Sequence, residues 1–246
     1  MKKRLFLIAG VILVLILSAS VYVYRLYFSP KGIELNKLEY PITGIDISNH
    51  NGEIDFKKLI NNFPDTLDFI YMKASEGLSH VDRAFETNYT NAKKYNIPLG
   101  FYHFFRFDAK GKEQATHFIS VIKDKKNELP IVLDIEEWGN FSDNKTDDVV
   151  KEISHFIYEI YYKLKKPVML YSNKDGYDKY VKGRFNNNDI WICTFRKQPD
   201  FVPKWIFWQH SHKGKVKGAE GWIDINTFNG TRSEWNNYLK KISYFN

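Results

Sequence analysis

The sequence is poor in cysteine, with Cys193 alone among 246 residues. A single cysteine excludes an intrachain disulfide. It lies in the apolar run WICTF, which predicts a small buried side chain rather than a nucleophile. A glycine-rich phosphate loop is also absent, so the sequence offers no nucleotide site of that kind.

Most of the chain carries little net charge. The formal net charge is +7, but four of these charges are Lys2, Lys3, Arg4 and Arg25, which leaves +3 for the rest. The remaining lysines are scattered among acids, as in KDKKNE, which is typical of solvated helix faces. No nucleic-acid partner is therefore expected. Aromatic residues are abundant, at 17% of the sequence. This surplus fits a binding cleft whose aromatic side chains stack on the flat rings of a ligand.

One long hydrophobic run is present, at the N-terminus. Leu5 to Tyr24 contains no charge and is flanked by basic residues, which indicates an export signal. Cleaved signal peptides usually have about 7–15 apolar residues, whereas about 20 can span a bilayer. The run thus favours an uncleaved anchor with its basic end inside. Ser18-Ala19-Ser20 is a weak cleavage site, so a secreted form is the alternative.

The N-terminal run divides the chain into three segments. Residues 1–28 are predicted to be a signal-anchor or signal peptide, 29–41 a short tether, and 42–246 one barrel domain. In either form of the N-terminus, the domain is expected beyond the cytoplasmic membrane, anchored to it or secreted.

Past residue 42 the chain repeats a short apolar run, a polar turn and a longer amphipathic stretch. The apolar runs predict strands at 43–48, 68–74, 98–105, 130–136 and 167–172. Three- and four-residue apolar spacing predicts helices near 55–62, 83–95, 111–125 and 146–165. Three strands without crossover helices then follow in 190–195, 204–211 and 222–228, before a helix near 233–241. The predicted fold class is α/β: an irregular TIM-like barrel with five β/α units followed by three further β-strands.

Polar side chains recur where these strands end. Functional groups of parallel barrels collect at the carboxyl ends of the strands, so these residues are expected to converge. They are Asp46 and Ser48, Lys73 to Glu76, His103, Asp134 with Glu136 and Glu137, Tyr171 to Asn173, Gln209 and His210, and Asp224 with Asn226.

The segment PIVLDIEEW (130–138) carries the most specific signal. Alternate residues of a strand share a face, so Asp134 and Glu136 are predicted to face the barrel mouth together, with Cα atoms about 6.6 Å apart. Glu137 is predicted to point away. Two close carboxylates raise each other's proton affinity, and glycoside hydrolysis needs a proton donor beside a negative charge. Asp46 and Asp224 are candidates for a third and a fourth carboxylate.

The acids and histidines also fit roles other than glycoside hydrolysis. A DIE triplet by itself is a weak signal, because it is more often a solvated strand end than a catalytic pair. His103 lies in an apolar setting, where a hydrogen-bonded structural histidine is as well supported as a functional one. His210 and His212 have a spacing that could hold a metal, and a magnesium or calcium site would account for clustered acids. Aromatic candidates for a sugar cleft, several of which must be core, are Tyr102, Trp138, Tyr171, Trp191 and Trp208.

Six segments, in order, resemble the family 25 glycoside hydrolases, the Chalaropsis-type lysozymes. They are GIDISNHNGEIDF (44–56), FIYMKASEG (69–77), PLGFYHFF (98–105), PIVLDIE (130–136), VMLYSN (168–173) and the stretch 207–230. The resemblance covers about residues 42–240. It implies a barrel of five α/β units plus three strands. It also implies hydrolysis of the β-1,4 bond between N-acetylmuramic acid and N-acetylglucosamine in peptidoglycan.

By motif position, the resemblance implies roles for individual residues. Glu136 would be the general acid and base, and Asp134 would orient or stabilise the reacting sugar. Asp46 and Asp224 would complete the carboxylate ring. The candidate substrate contacts are Tyr102, Tyr171, Glu76, His103 and Trp208. Whether the substrate's own acetamido group or an enzyme carboxylate assists stays open, although the short carboxylate spacing suits substrate assistance better. Phe195 stands where tyrosine is common in the family, which bears on the sugar subsites.

The predicted function is a peptidoglycan hydrolase that acts as a monomer on glycan strands, without a cofactor or a metal. One alternative is a glycosidase for another amino-sugar polymer, such as chitin. Another is a barrel that binds wall glycan without cleaving it. Four retained carboxylates argue against the binder, because a cluster of like charges is costly to keep without a chemical use.

Overall fold

The computed structural model of the protein describes residues 10–20, 32–140 and 142–243. The chain divides into two compact units, Met1–Lys31 and Gly32–Asn246. In the first unit, residues 10–20 form a helix, α1. Within the described residues, no helix has the length and apolarity needed to cross a membrane. Most of the predicted signal segment, outside 10–20, lies beyond the described residues.

The second unit is a closed barrel of eight strands. The strands of the ring are β1 (Thr43–Ile47), β2 (Leu67–Glu76), β4 (Leu99–Phe104), β5 (Ile131–Asp134), β6 (Val168–Asn173), β7 (Ile190–Cys193), β8 (Phe207–Gly214) and β9 (Ile223–Phe228). Around the ring the order is β1-β9-β8-β7-β6-β5-β4-β2, and β1 pairs with β2 to close it. A two-residue strand, β3 (His80–Val81), pairs with the end of β2. Only β9 runs antiparallel to its ring neighbours in the described barrel.

Helices cover the outside of this barrel, and the C-terminal one packs against the end at which the parallel strands begin. They are α2 (Phe56–Asn62), α3 (Phe85–Ala92), α4 (Gly111–Ile122), α5 (Thr146–Leu164), α6 (Lys174–Gly176) and α7 (Arg232–Ser243). The predicted α/β barrel of five units and three further strands is confirmed, with two differences. The fifth unit has only the short α6 and a π-helical turn, Tyr177–Val181. The strand predicted at 130–136 ends at Asp134, so Glu136 lies just beyond it.

Large aromatic side chains fill the lower part of the barrel. The rings of Phe69 and Phe207 are 4.8 Å apart, and Trp235 of α7 lies 5.5 Å from Phe69. Space for these rings comes from glycines on neighbouring strands. A Cβ on Gly100 would come within 2.2 Å of the Tyr71 ring. The aromatic layer thus forms a packed floor, and polar side chains occupy the mouth above it.

The described part of the predicted tether packs on the barrel. The Ile33 N–H donates to the His210 carbonyl at 2.9 Å, and His210 Nδ1 lies 2.7 Å from the Ile33 carbonyl oxygen. Tyr40 is buried, with its ring stacked on Trp205 at 6.2 Å. From Gly32 onward, this segment therefore belongs to the same compact unit as the barrel.

Candidate active site

A cavity of about 280 Å³ opens at the carboxyl ends of the parallel strands. Six of the residues that line it were predicted as site residues: Asp46, Tyr102, Asp134, Glu136, Tyr171 and Asp224. They come from five strands or the turns that follow them, and the closed ring brings them together. Convergence of the strand ends, predicted from the sequence, is confirmed for this set.

The acids at 134, 136 and 137 separate as predicted, although β5 ends at Asp134. Asp134 lies on the inward face of β5, and Asp134 and Glu136 both line the cavity. Ile135 between them is fully buried in the core under the helices. The Glu137 carboxylate instead forms an ion pair with the Lys179 ammonium and accepts a hydrogen bond from the Tyr180 hydroxyl at 3.0 Å. Glu137 therefore belongs to the outer surface of the barrel.

Two side-chain amides hold the buried Asp46 carboxylate. Gln209 Nε2 donates to Asp46 Oδ2 at 2.9 Å, and Asn226 Nδ2 donates to the same oxygen at 2.7 Å. Burial raises the pKa of Asp46, whereas these two amide bonds act to lower it. Asp46 is thus the carboxyl of the cavity for which the protein provides two donors.

The orientation of both amides is fixed by aromatic donors behind them. Trp191 Nε1, which can only donate, lies 3.0 Å from Asn226 Oδ1. The NH₂ end of Asn226 must therefore face Asp46. Likewise, the Tyr171 hydroxyl donates to Gln209 Oε1 at 2.8 Å. This chain of donors favours the ionised form of Asp46.

Asp134, unlike Asp46, has a carboxyl oxygen without a hydrogen-bond donor in the described part of the chain. Its Oδ1 is buried and has no hydrogen-bond partner among the described residues. Burial, followed by the negative charge of Glu136, raises the pKa of Asp134 well above its usual range. The nearby Lys73 ammonium opposes this shift, but it is itself paired with Glu76 at 2.7 Å. Asp134 therefore lines the cavity without a hydrogen bond from any described residue to its buried Oδ1.

Glu136 and Asp224 keep their protons to a higher pH than exposed carboxyl groups do. Burial and the charge of Asp46 raise the pKa of Glu136 to about 7, although the Asn173 amide, 3.2 Å from Glu136 Oε1, acts in the other direction. Burial and the charges of Asp46 and Glu136 raise the pKa of Asp224 to about 9. Near neutral pH, the cavity thus contains Asp46, whose carboxylate form is stabilised by two amides, and at least one carboxyl that can donate a proton.

Two predicted substrate contacts are wrong. His103 is fully buried on the outward face of β4, where its ring nitrogens lie 2.8 Å from Ser75 Oγ and 3.2 Å from Gln114 Oε1. Burial lowers its pKa to about 3, so it is a neutral structural histidine. Trp208 is 1% exposed and donates to the Thr194 carbonyl at 2.8 Å. A glycan strand cannot reach either side chain.

Glu76 also lies outside the lining of the cavity. Its carboxylate pairs with Lys73, which does line the cavity, and lies 3.5 Å from Arg106. Glu76 therefore pairs with a lysine of the cavity wall, and its own charge adds to the raised pKa of Asp134. A direct contact with substrate remains a prediction.

Several site residues were not assigned a role from the sequence. Gln209, Asn226 and Asn173 stood among the polar strand ends, but nothing in a single sequence says which carboxylate an amide will meet. Phe195 and Cys193 form part of the cavity wall, and burial raises the pKa of the Cys193 thiol well above its usual value. This agrees with the predicted buried, unreactive cysteine.

The two histidines with a metal-like spacing do not converge. His210 faces the Ile33 carbonyl, whereas the His212 ring lies against Phe195 at 4.3 Å and lines the cavity. Over the three described ranges, no group of three or more His, Cys, Asp or Glu side chains is arranged to hold a metal ion.

Comparisons with known proteins agree with this geometry. The family model described as Glycosyl hydrolases family 25 matches residues 45–219. A family 25 glycosyl hydrolase from Bacillus anthracis is similar, with a TM-score of 0.74 and 36% identity over 84% of this chain and 96% of that one. A bacterial lysozyme from Streptomyces coelicolor has a TM-score of 0.72 and 28% identity over 83% and 98%.

Lysozyme M1 from Streptomyces globisporus is 30% identical over 205 residues, which cover 77% of this chain and 68% of that protein. The family match begins within β1, includes Asp46, Asp134 and Glu136, and extends over most of the barrel. The chain therefore belongs to glycosyl hydrolases family 25, and it is a glycoside hydrolase.

Proposed function

We propose that the barrel is a peptidoglycan hydrolase, a lysozyme that cleaves the β-1,4 bond between N-acetylmuramic acid and N-acetylglucosamine. The observation that carries this proposal is the carboxylate cavity of a family 25 barrel, in which Glu136 has a pKa of about 7 beside Asp134 and the amide-bound Asp46. The relatives named lysozymes support this substrate class.

In the first step, Glu136 is the general acid. Its proton passes to the glycosidic oxygen while the bond from that oxygen to C1 breaks. Positive charge then develops at C1 of the retained sugar. The Asp46 carboxylate, held by two amides, stabilises this charge.

Asp134 is proposed to position the 2-acetamido group of the same sugar. The Asp134 carboxylate lines the cavity and can accept the acetamido N–H, which turns the acetamido oxygen toward C1. That oxygen forms a bond to C1 as the leaving group departs. An N–H donor at Asp134 also favours the carboxylate form, so substrate binding lowers the raised pKa of Asp134.

In the second step, the now ionised Glu136 removes a proton from water. The water oxygen attacks C1, the bond between C1 and the acetamido oxygen breaks, and Glu136 regains its proton. The configuration at C1 is retained because two displacements occur. Asp224, whose pKa of about 9 keeps it protonated, is proposed to donate a hydrogen bond to the sugar that lies across the cavity.

Digestion of purified peptidoglycan, with analysis of the new reducing ends, tests this function. Muramic acid ends are expected. Glucosamine ends would identify a glucosaminidase instead, and digestion of chitin but not peptidoglycan would identify a different polymer. Binding to peptidoglycan without any new reducing ends would identify the barrel as a glycan-binding protein.

We further propose that the enzyme acts outside the cytoplasm, attached to the membrane by its N-terminal segment. This rests on the sequence: the uncharged run Leu5 to Tyr24 follows three basic residues and precedes Arg25. Membrane fractionation of cells that produce the full chain tests the proposal. The protein is expected to stay with membranes after a high-salt wash and to require detergent for release. Recovery in the medium with a shortened N-terminus would show cleavage instead.

A further inference from the structure

Two tryptophans remain exposed at the barrel mouth. The chain has six tryptophans, all at described positions, and four of them are buried: Trp191, Trp205, Trp208 and Trp235. The other two, Trp138 and Trp222, are 79% and 50% exposed. Leaving such large rings in water forgoes the stabilisation that burial gives. Their position relative to the carboxylate cavity suggests a use.

The two rings belong to opposite sides of the barrel. Trp138 follows β5, and Trp222 immediately precedes β9. In the ring order, β5 and β9 are four strands apart in both directions. Because β9 is antiparallel and Asp224 pairs with Asp46, the start of β9 lies at the same rim as the carboxyl end of β1. Both tryptophans therefore belong to the rim of the mouth: Trp138 lines the cavity, and Trp222 is two residues from Asp224, which lines it.

Trp138 is carried by a well-anchored turn. Asn140 Nδ2 donates to the Glu136 carbonyl at 3.0 Å, and Arg106 Nη1 donates to the Gly139 carbonyl at 2.7 Å. The Trp138 ring lines the same cavity as Glu136, which precedes it in the chain. A ligand that reaches Glu136 thus passes a ring on a fixed backbone.

Trp222 is held in a comparable way. Its carbonyl oxygen accepts a hydrogen bond from Asn51 Nδ2 at 2.7 Å, in the turn that follows β1. The Lys215 ammonium lies 5.3 Å from the centre of its ring. The ring is positioned by neighbouring residues, while half of its surface faces solvent.

We infer that Trp138 and Trp222 are the two end platforms of a glycan groove, and that each stacks on a sugar ring of a strand that crosses the cavity. This inference rests on the proposed function and adds how the polymer lies. The apolar face of a pyranose ring matches a tryptophan face, and a continuous amino-sugar strand can reach both platforms. Trp138 contacts the sugars next to the cleaved bond, whereas Trp222 contacts a sugar farther away.

If both platforms bind sugars, the contribution of Trp222 to binding should depend on the length of the glycan strand. A long glycan strand covers both platforms, whereas a tetrasaccharide held at the carboxylates contacts Trp138 but extends less far toward Trp222. Loss of Trp222 should therefore weaken the binding of long strands more than that of short ones.

Steady-state kinetics of the full-length protein tests this, with peptide-free peptidoglycan strands and a tetrasaccharide of two disaccharide repeats as substrates. With long strands, Trp138→Ala and Trp222→Ala should each raise KM about fivefold to tenfold and change kcat less than twofold, as expected for loss of one stacked ring. Trp138→Tyr should restore most of the binding. Tyr158→Ala is the matched control, because Tyr158 is an exposed aromatic on α5 and does not line the cavity.

With the tetrasaccharide, the KM ratio of Trp222→Ala to the parent should be smaller than with long strands. An unchanged KM for long strands in either tryptophan variant overturns the inference, as does an equal rise in Tyr158→Ala. If the parent does not cleave the strands at all, the proposed function fails instead. Binding of the same strands to Glu136→Gln, followed by tryptophan fluorescence, then still tests the groove: a spectral shift that Trp138→Ala and Trp222→Ala each reduce supports it, and no shift overturns it.

Discussion

Glu136 and Glu137 are adjacent acids with different surroundings. Glu136 lines the cavity, whereas Glu137 pairs with Lys179 on the outer surface. Glu136→Gln should lower kcat about 10²–10⁴-fold, the range attributed to a positioned proton donor. Glu137→Gln, the matched control one residue away, should keep kcat within about twofold. Reducing-end assays on peptidoglycan measure both. Equal activity of parent and Glu136→Gln would remove Glu136 from the acid role.

The same Glu136→Gln change should alter stability in a pH-dependent way. The folded-state pKa of Glu136, about 7, lies above its value of 4.5 in the absence of the fold. A raised pKa favours the folded state fully below pH 4.5, and this contribution is lost as pH rises through 7. Glutamine has no proton to lose, so the variant should be more stable than the parent at pH 8, by about 2–3 kcal/mol, and equal to it at pH 4. Urea unfolding at both pH values measures this, and equal stability at pH 8 would contradict the raised pKa.

Removal of either of two amide side chains should shift the pH dependence of kcat/KM, and the two shifts should have opposite directions. The Asn173 amide donates to Glu136 and stabilises its carboxylate form, so Asn173→Ala should raise the pKa of Glu136. The Asn226 amide stabilises the Asp46 anion, whose charge keeps the proton on Glu136, so Asn226→Leu should lower that pKa. The alkaline limb of kcat/KM should move up in the first variant and down in the second, each by about half to one pH unit. Shifts of the same sign would contradict this assignment.

At the scale of single elements, the side chains of β4 face both the barrel interior and the surrounding helices. Gly100 and Tyr102 face the barrel interior, while Phe101 and His103 face the helices. The inward glycine leaves room for Tyr71 beneath the cavity. The outward histidine bonds to a serine and a glutamine, so its neutral ring satisfies two buried partners. The strand itself could be predicted from its apolar run, but the partners of His103 could not.

Gly100→Ala should destabilise the barrel because its Cβ would come within 2.2 Å of the Tyr71 ring, which is packed on all sides. Overpacking of this kind costs about 1–3 kcal/mol and more where the neighbour cannot move. Gly183→Ala is the control: its φ is +74°, but a Cβ there meets open space. We expect about 1 kcal/mol for that backbone strain alone. Chemical denaturation compares the two variants, and a smaller loss for Gly100→Ala would contradict the packed floor.

At the scale of the whole molecule, the barrel unit begins before its first strand. Residues 32–41 contribute the paired hydrogen bonds of Ile33 with His210 and the buried ring of Tyr40. A chain that begins at residue 42 should lose about 3–5 kcal/mol relative to one that begins at Gly32, from lost apolar burial and two hydrogen bonds. Thermal unfolding followed by circular dichroism measures this difference. Equal midpoints would show that the segment only rests on the barrel.

The sequence by itself determined the order of elements and the position of the acids. Apolar periodicity is a local property, so the strands, the helices and the strand parity of Asp134, Glu136 and Glu137 could be read from it. The family could be recognised because its motifs surround these acids in a fixed order.

Only the tertiary structure decided which side chains meet. Gln209 and Asn226 lie 163 and 180 residues from Asp46, and ring closure makes them its hydrogen-bond donors. The shifted pKa of Glu136 arises in the same way, from burial and from a charge on another strand. The opposition of Trp138 and Trp222 likewise exists only because β5 and β9 face each other across a closed ring. Contacts between distant strands depend on barrel closure and on the space that neighbouring side chains leave, and neither is a property of a local stretch of sequence.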